Sequence, residues 1–405
     1  MSPPRGRADL RLLPYCSGHR LHQANLRRSS RPGTPTALWG TLILVTKLQI
    51  QENVELAPYT TMGIGGPARF FTHVQTERKL EAAASFAEKN SLPLVVLGGG
   101  SNLLVRDEGF PGLVVFLDLC GETRISPAGS KVRFDVPAGT EWDDFVLSAC
   151  EHGLSGVECL AGIPGRSGGS PVQNIGAYGQ EVAQTIQSVR AYDLRLRLFV
   201  VLSNEACGFT YRSSRFNTEE RGRYLITNVS FLLQTGEKST LTYADLQARF
   251  AGQTPSPLQI YHAVREIRQN KGMLFLANDP DSRSAGSFFK NPVVPADQLS
   301  SIAAEVDTDQ SAVPHWPAPN TSQGDPQVKL AAAWLVQSAG FPKGFADGAA
   351  GISSRHSLAL INRGGATFSD IARLRDRIQA EVTRRFGVRL DQEPVELAPQ
   401  TGKRF

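Results

Sequence analysis

Gly162-Ile163-Pro164-Gly165-Arg166-Ser167-Gly168-Gly169-Ser170-Pro171-Val172-Gln173-Asn174-Ile175-Gly176-Ala177-Tyr178-Gly179 is the stretch on which the fold turns. With the shorter Gly98-Gly99-Gly100-Ser101-Asn102-Leu103 it concentrates glycine in two loops. Glycine loses more backbone freedom on folding than any other residue. Clustering it is therefore worthwhile where N–H groups must approach a ligand closely or a residue must take positive φ. A pyrophosphate has that need. Ordinary tight loops are the alternative, and composition alone leaves both readings open.

Outward from these loops the pattern is mixed. Phe70 to Val74 reads as a strand, and Thr76 caps a helix whose Leu80, Ala83, Ala84 and Ala87 share one face. Leu94 to Leu97 is a buried strand. The first glycine loop separates it from Leu103-Leu104-Val105, so those glycines form a strand-to-strand turn and open no helix. From Gly121 to Leu233 strands and glycine loops dominate; Val132 to Val136 alternates as a half-buried strand, and one helix, Glu141 to Glu151, interrupts. Beyond Lys271 the clearest helix has Ser369 as its expected N-cap, a stripe of Ile371, Leu374, Ile378, Val382 and Phe386, and Gly387 as its stop. A second helix is expected over Val328 to Ser338 and a strand over Ser357 to Ile361, with Val388 to Leu397 extended back toward the body. This divides the chain into a basic extension (1–46), two modules (47–119 and 120–270), a third α+β region (271–387) and a returning segment (388–405).

Composition bounds the function. The 405 residues carry a formal charge of +5, but the excess sits in the arginines from Arg5 to Arg31, where Asp9 is the only acid. The remainder has no basic stripe interleaved with aromatics, so nucleic acid is not an expected partner. The five cysteines are scattered without a C-x-x-C pair, which fits a reducing cytoplasm and no structural zinc. None of the seven histidines stands in a metal-binding pattern, and His152, His262 and His356 read as surface or satisfied-core residues. The apolar run around Leu42 to Val45 is too short to span a bilayer, and no membrane segment is expected.

Three motifs invite other chemistries. Gly63-Ile64-Gly65-Gly66-Pro67-Ala68 fits G-x-G-x-x-A but precedes a strand and has proline where a phosphate-binding helix would start. Gly165-Arg166-Ser167-Gly168-Gly169 fits the G-x-S-x-G elbow, yet Pro171 and a polar run follow it where a helix is required. Ser287-Phe288-Phe289-Lys290 fits S-x-x-K without the S-D-N and K-T-G companions.

The last of these lies in Ser282-Arg283-Ser284-Ala285-Gly286-Ser287-Phe288-Phe289-Lys290-Asn291-Pro292, where small residues and a serine abut two aromatics and a lysine, and it reads as a reactive site. With Tyr211-Arg212-Ser213 and Gln392-Glu393-Pro394 it resembles the UDP-N-acetylenolpyruvoylglucosamine reductase family, from about Ile50 to about Leu397. Pro58 to Gly66 and both glycine loops are similar to that family's FAD-binding segments, with Met62 where phenylalanine is usual. The resemblance implies an α+β fold: a two-part FAD-binding domain of vanillyl-alcohol-oxidase type and a C-terminal α+β substrate domain. It also implies non-covalent FAD held by Gly98, Gly99, Gly100, Ser101, Asn102, Leu103, Gly165, Gly169, Ser170, Asn174, Gly176 and Ala177.

The implied reaction is a cytoplasmic step of peptidoglycan precursor synthesis. NADPH reduces the flavin, and the enolpyruvyl ether of UDP-N-acetylglucosamine is then reduced to UDP-N-acetylmuramate. Charge developing at C2 and its carboxylate needs fixed donors, and C2 needs a proton. By resemblance Arg212 and Glu393 stabilise the enol and Ser287 donates the proton. Tyr211, Tyr243, Lys271, Asn291 and Lys343 match substrate-binding positions, Trp316 a uridine lid, and the Tyr243 segment the lid-bearing subclass. The partner is a small molecule and the chain is expected to be a monomer. The proline usual at Gln392 is absent. Another flavin oxidase of this fold, or a flavin-binding protein without turnover, are the competing expectations; each would lack one of Ser287, Arg212 and Glu393.

Overall fold

The computed structural model describes residues 48–397, apart from 237, 238, 240 and 321, so the extension 1–46 lies outside the described residues. Strands Gln51–Glu55, Pro67–Val74, Phe110–Leu117 and Leu94–Leu97 form one sheet in that spatial order. The first pair is antiparallel and the others are parallel. Phe110–Leu117 is buried at every position except Pro111, as befits a parallel strand covered on both faces. Helix Glu77–Lys89 buries the face read from its sequence, and Thr76 accepts the Lys79 N–H at 3.2 Å.

The second sheet is antiparallel. Leu198–Ser203, Ile186–Asp193, Tyr224–Thr235, Lys131–Pro137 and Arg124–Ala128 follow in order, with Leu154–Ser155 paired to the end of Tyr224–Thr235. Helix Trp142–Glu151 seals one face through Trp142 and Phe145, and Phe145 stacks on Phe231 with centroids 4.7 Å apart. Three helices here are not among the sequence expectations, Asn204–Cys207, Ala244–Arg249 and Pro257–Asn270. Asn204–Cys207 is a single turn, but Pro257–Asn270 has a capping box of Ser256 and Gln259 with proline at its first position.

The C-terminal region packs one three-stranded sheet, through Ala350–Ile352 and Leu360–Asn362, against helix Phe368–Phe386, with a second three-stranded sheet in the same core; the helix's expected stripe is buried and its end is Gly387 at φ 64°. Three expectations shift. Gln327–Leu330 is a strand, held by pairing with Val293–Pro295 and His315–Ala318, and the helix occupies only Ala332–Ser338. The N-cap is Thr367, not Ser369: Thr367 and Asp370 bond each other's backbone N–H in a capping box. Ser369 already lies in the first turn and donates to Asp107 Oδ2 at 2.6 Å. The strand expected over Ser357 to Ile361 is Leu360–Asn362, since the residues before it turn: Ala359 N–H returns to His356 O.

Several contacts fasten this region to the first module, among them a capped helix and a strand pairing. Asp107 accepts the Phe368 and Ser369 N–H groups at 2.7 and 3.0 Å, a carboxylate on a helix N-terminus. Val395–Leu397 pairs in parallel with Leu103–Val105, and Val395 N–H reaches Asn102 O at 2.8 Å. Among the described residues no helix is long and apolar enough to cross a membrane.

Candidate active site

A cavity of about 1420 Å³ runs from the first sheet's edge, between both glycine loops, to the segment bearing Ser287. At the loops its wall is backbone pressed on backbone. A Cβ at Gly99 would lie 2.6 Å from Gly165 Cα, and one at Gly100, where φ is +62°, 1.9 Å from Tyr59 O. Ser101 Oγ donates to Pro164 O at 2.8 Å and the Asn102 amide bonds Gln173, so the loops are latched together. Neither loop contains an acid. A narrow wall rich in backbone groups and free of carboxylates fits a dinucleotide with a pyrophosphate, as FAD has. Ser167, the serine of the elbow-like motif, is fully buried and opens only the 3-10 turn Ser167–Gly169, so it serves no nucleophile's role.

The other end is built from side chains. Phe288 and Phe289 are 0% and 2% exposed, so these aromatics are core anchors that hold the flanking Ser287 and Lys290 at the cavity. Phe288 O accepts Glu393 N–H at 2.8 Å and Lys290 N–H donates to Asp391 O at 2.9 Å. This short antiparallel pairing sets Ser287 and Glu393 in register. Arg212 arrives on the hairpin Thr210–Ser213, closed by two backbone bonds of 3.0 and 3.1 Å, and holds a left-handed φ of 53°. Its Nη2 donates to Gly176 O at 2.6 Å and its Nε lies 3.3 Å from Glu393 Oε1. Burial pushes the Glu393 carboxyl above the usual range, opposed by the charges of Arg212 and Lys290.

Between these ends Lys271 Nζ pairs with Asp245 at 2.6 Å and stands 5.9 and 5.7 Å from the rings of Tyr178 and Tyr243. The two tyrosines meet edge to face at 5.1 Å. Asn291 faces the cavity while its Oδ1 accepts Ala332 N–H at 3.0 Å.

Ser287, Arg212 and Glu393 therefore converge, and Tyr211, Tyr243, Lys271 and Asn291 line the same cavity. So do the residues expected at the cofactor, with one exception. Asn174 is 1% exposed and lies off the cavity lining, its amide spent on internal hydrogen bonds. Lys343 is exposed and off the lining too, near enough for its charge to act on His356. Trp316 is 48% exposed on a row with Lys329, whose Nζ sits 5.2 Å from the Tyr211 ring; it borders the site without lining it.

Arg268 and His356 stand among the lining residues that the sequence does not point to. Arg268 is 8% exposed and spends its guanidinium on carbonyls, Nε to Gly162 O at 3.1 Å and Nη2 to Met273 O at 2.8 Å. His356 accepts Leu358 N–H on Nδ1 at 3.0 Å, which leaves its proton on Nε2. Burial, with the charges of Lys271, Lys343 and Arg268, pushes its pKa down to about 4. The unread helix Pro257–Asn270 was the available signal for Arg268; a lone histidine gives none.

Known proteins are similar to this chain in sequence and in fold. Residues 279–397 match the family model of the UDP-N-acetylenolpyruvoylglucosamine reductase C-terminal domain, and residues 68–195 that of an FAD binding domain. The UDP-N-acetylenolpyruvoylglucosamine reductase of Thermobifida fusca is 45% identical over 352 residues, covering 85% of this chain and 97% of that protein. That of Neisseria meningitidis is 39% identical, covering 85% and 96%. The crystal structure of the enzyme from Thermus caldophilus superposes with a TM-score of 0.58 at 26% identity, covering 87% of this chain and 99% of that one. By its cradle, its converging side chains and these relatives, the chain belongs to the UDP-N-acetylenolpyruvoylglucosamine reductase family.

Proposed function

We propose that this chain uses NADPH and FAD to reduce the enolpyruvyl ether of UDP-N-acetylglucosamine to UDP-N-acetylmuramate, a step of peptidoglycan precursor synthesis. The observation that carries this reading is the convergence of Ser287, Arg212 and Glu393 in one cavity with the glycine cradle. FAD held by Gly98 to Leu103 and by Gly165, Gly169, Ser170, Gly176 and Ala177 supplies the hydride chemistry, between NADPH and C3 of the enolpyruvyl group.

The chain's own groups do the rest. Arg212, oriented by Gly176 O and Glu393, presents a planar fork to the substrate carboxylate and steadies the charge that grows there. Glu393, with its raised pKa, is suited to share a proton with the enol oxygen. Ser287 gives its proton to C2, and Lys290 on the same cavity wall is the nearest cation in sequence to restore it. Lys271 and Asn291 meet the diphosphate, Tyr243 and Tyr211 flank it, and Lys343 adds charge from outside the wall.

We read 47–119 and 120–270 as the two FAD-binding modules and 271–387 as the substrate domain, followed by the returning segment. The separate cores around Phe231 and around Leu374 support that division. Cys150, Cys159 and Cys207, buried and free of disulfides, fit a reducing compartment.

The test is NADPH oxidation by FAD-loaded protein with and without the enolpyruvyl substrate, the product being identified by mass. Oxidation that depends on substrate and yields UDP-N-acetylmuramate is expected. Oxidation indifferent to it would move the oxidase reading ahead.

A further inference from the structure

Asn174 stands behind the cavity wall with its amide almost fully committed. Nδ2 donates to Thr210 O at 3.0 Å and to Glu181 Oε2 at 2.9 Å, and Oδ1 accepts Ala183 N–H at 3.0 Å. Both amide hydrogens are used, so none remains for a cofactor. Thr210 is the base of the turn whose tip carries Arg212. At the tip, Arg212 Nη1 lies 3.5 Å from the main-chain oxygen of Asn174 itself. One residue thus touches the hairpin at its root and the guanidinium at its end.

The backbone points the same way. Asn174 holds φ +45° and Arg212 +53°, left-handed conformations that side-chain-bearing residues keep only where their surroundings enforce them. Asparagine tolerates this region better than most, and the Thr210 bond ties the strained turn to the strained loop.

We propose that Asn174 is a positioning residue for Arg212, holding its hairpin so that the guanidinium faces Glu393. This rests on the role given to Arg212 above. Asn174 lies off the cavity lining and acts through Thr210 and the Arg212 fork. Its influence falls on the half of the turnover in which the enolpyruvyl group is reduced, and spares the half in which NADPH reduces the flavin.

Stopped-flow flavin absorbance separates those halves. Asn174→Asp keeps the acceptor for Ala183 and the tolerance of positive φ, but turns the donor facing Thr210 O and Glu181 into an acceptor. Reoxidation by the enolpyruvyl substrate should slow about 10- to 100-fold, the scale of a catalytic group moved by a fraction of an ångström to an ångström. Reduction by NADPH should stay within about twofold and FAD content should be native. Adding Glu181→Gln, which restores one donor–acceptor pair, should recover part of the rate. In an Arg212→Lys background, already slow in reoxidation, Asn174→Asp should add less than about threefold, because the two act as one unit. If Asn174→Asp does not fold, Asn174→Gly, which suits φ +45° and buries no charge, should show the same split.

Equal slowing of both halves, loss of FAD, native reoxidation, or full additivity with Arg212→Lys would each overturn the proposal. Native reoxidation by Arg212→Lys itself would instead remove the role of Arg212, and the proposal with it.

Discussion

The glycine cradle and the proposed reaction centre occupy one cavity but are held in opposite ways. The cradle is main chain against main chain, with Gly99 and Gly165 too close for a methyl group between them. The centre is three side chains from three distant segments, aimed by a hairpin, a buried aromatic pair and a two-bond strand pairing. A backbone wall fails when something is added; a side-chain centre fails when something is taken away. On the proposed assignment, specificity for a reaction would reside in the second kind and fit to a cofactor's shape in the first.

Substitutions test that contrast. The largest effect is expected from emptying the centre: Ser287→Ala should slow reoxidation by the enolpyruvyl substrate about 10²- to 10⁴-fold, the range of a lost general acid, and leave NADPH-driven flavin reduction intact. Flavin absorbance in single turnover measures it, and a native reoxidation rate would sink the assignment. Filling the cradle comes next. Gly99→Ala drives a methyl into Gly165 Cα and should cost about 1–3 kcal/mol by overpacking, read as weaker FAD binding in a fluorescence titration.

His356 separates the two regions by pH. Its pKa falls from the ordinary 6.5 to about 4 on folding. Between those values the unfolded chain binds more protons, so stability rises with pH in that window and is lost as pH falls through it. At about pH 5 the loss should be about 2 kcal/mol relative to about pH 7.5, and His356→Gln should flatten that part of the curve in denaturant unfolding. The smallest effect belongs to Gly169, which has no positive φ and no protein atom within 4 Å of where an added Cβ would sit. Gly169→Ala should shift the unfolding of the cofactor-free protein by less than about 0.5 kcal/mol, which would show that only crowded glycines of the cradle are obligatory.

What could be read in advance follows the same line. Helix Glu77–Lys89, helix Phe368–Phe386 and both glycine loops are local patterns, written in consecutive residues, and they stand where the sequence put them. Gln327–Leu330 is too short for periodicity to tell strand from helix, and packing beside Val293–Pro295 and His315–Ala318 decided it. The true cap was legible as Thr367 with Asp370 three residues on, but Ser369 offered a second hydroxyl two residues later. Side-chain aim was not legible at all. Gln173 and Asn174 are adjacent and both amides, yet one lines the cavity and the other faces Thr210, because a left-handed φ at Asn174 turns the chain between them. His356 reaches the cavity and Lys343 does not for reasons that lie wholly in tertiary packing.

The parallel pairing of Val395–Leu397 with Leu103–Val105 bears on the order in which the protein is made. Every partner of Glu393 and of that strand leaves the ribosome earlier. At roughly 5–20 residues per second, the interval between Arg212 and Glu393 is on the order of 10–40 s. Over that interval both glycine loops have been made, while the proposed centre lacks Ser287 until residue 287 and Glu393 throughout. Closing the last strand therefore completes two things at once, the pairing that backs Asn102 and Leu103 in the cradle and the delivery of Glu393 to the cavity, so the chain's final residues couple cofactor site and substrate site.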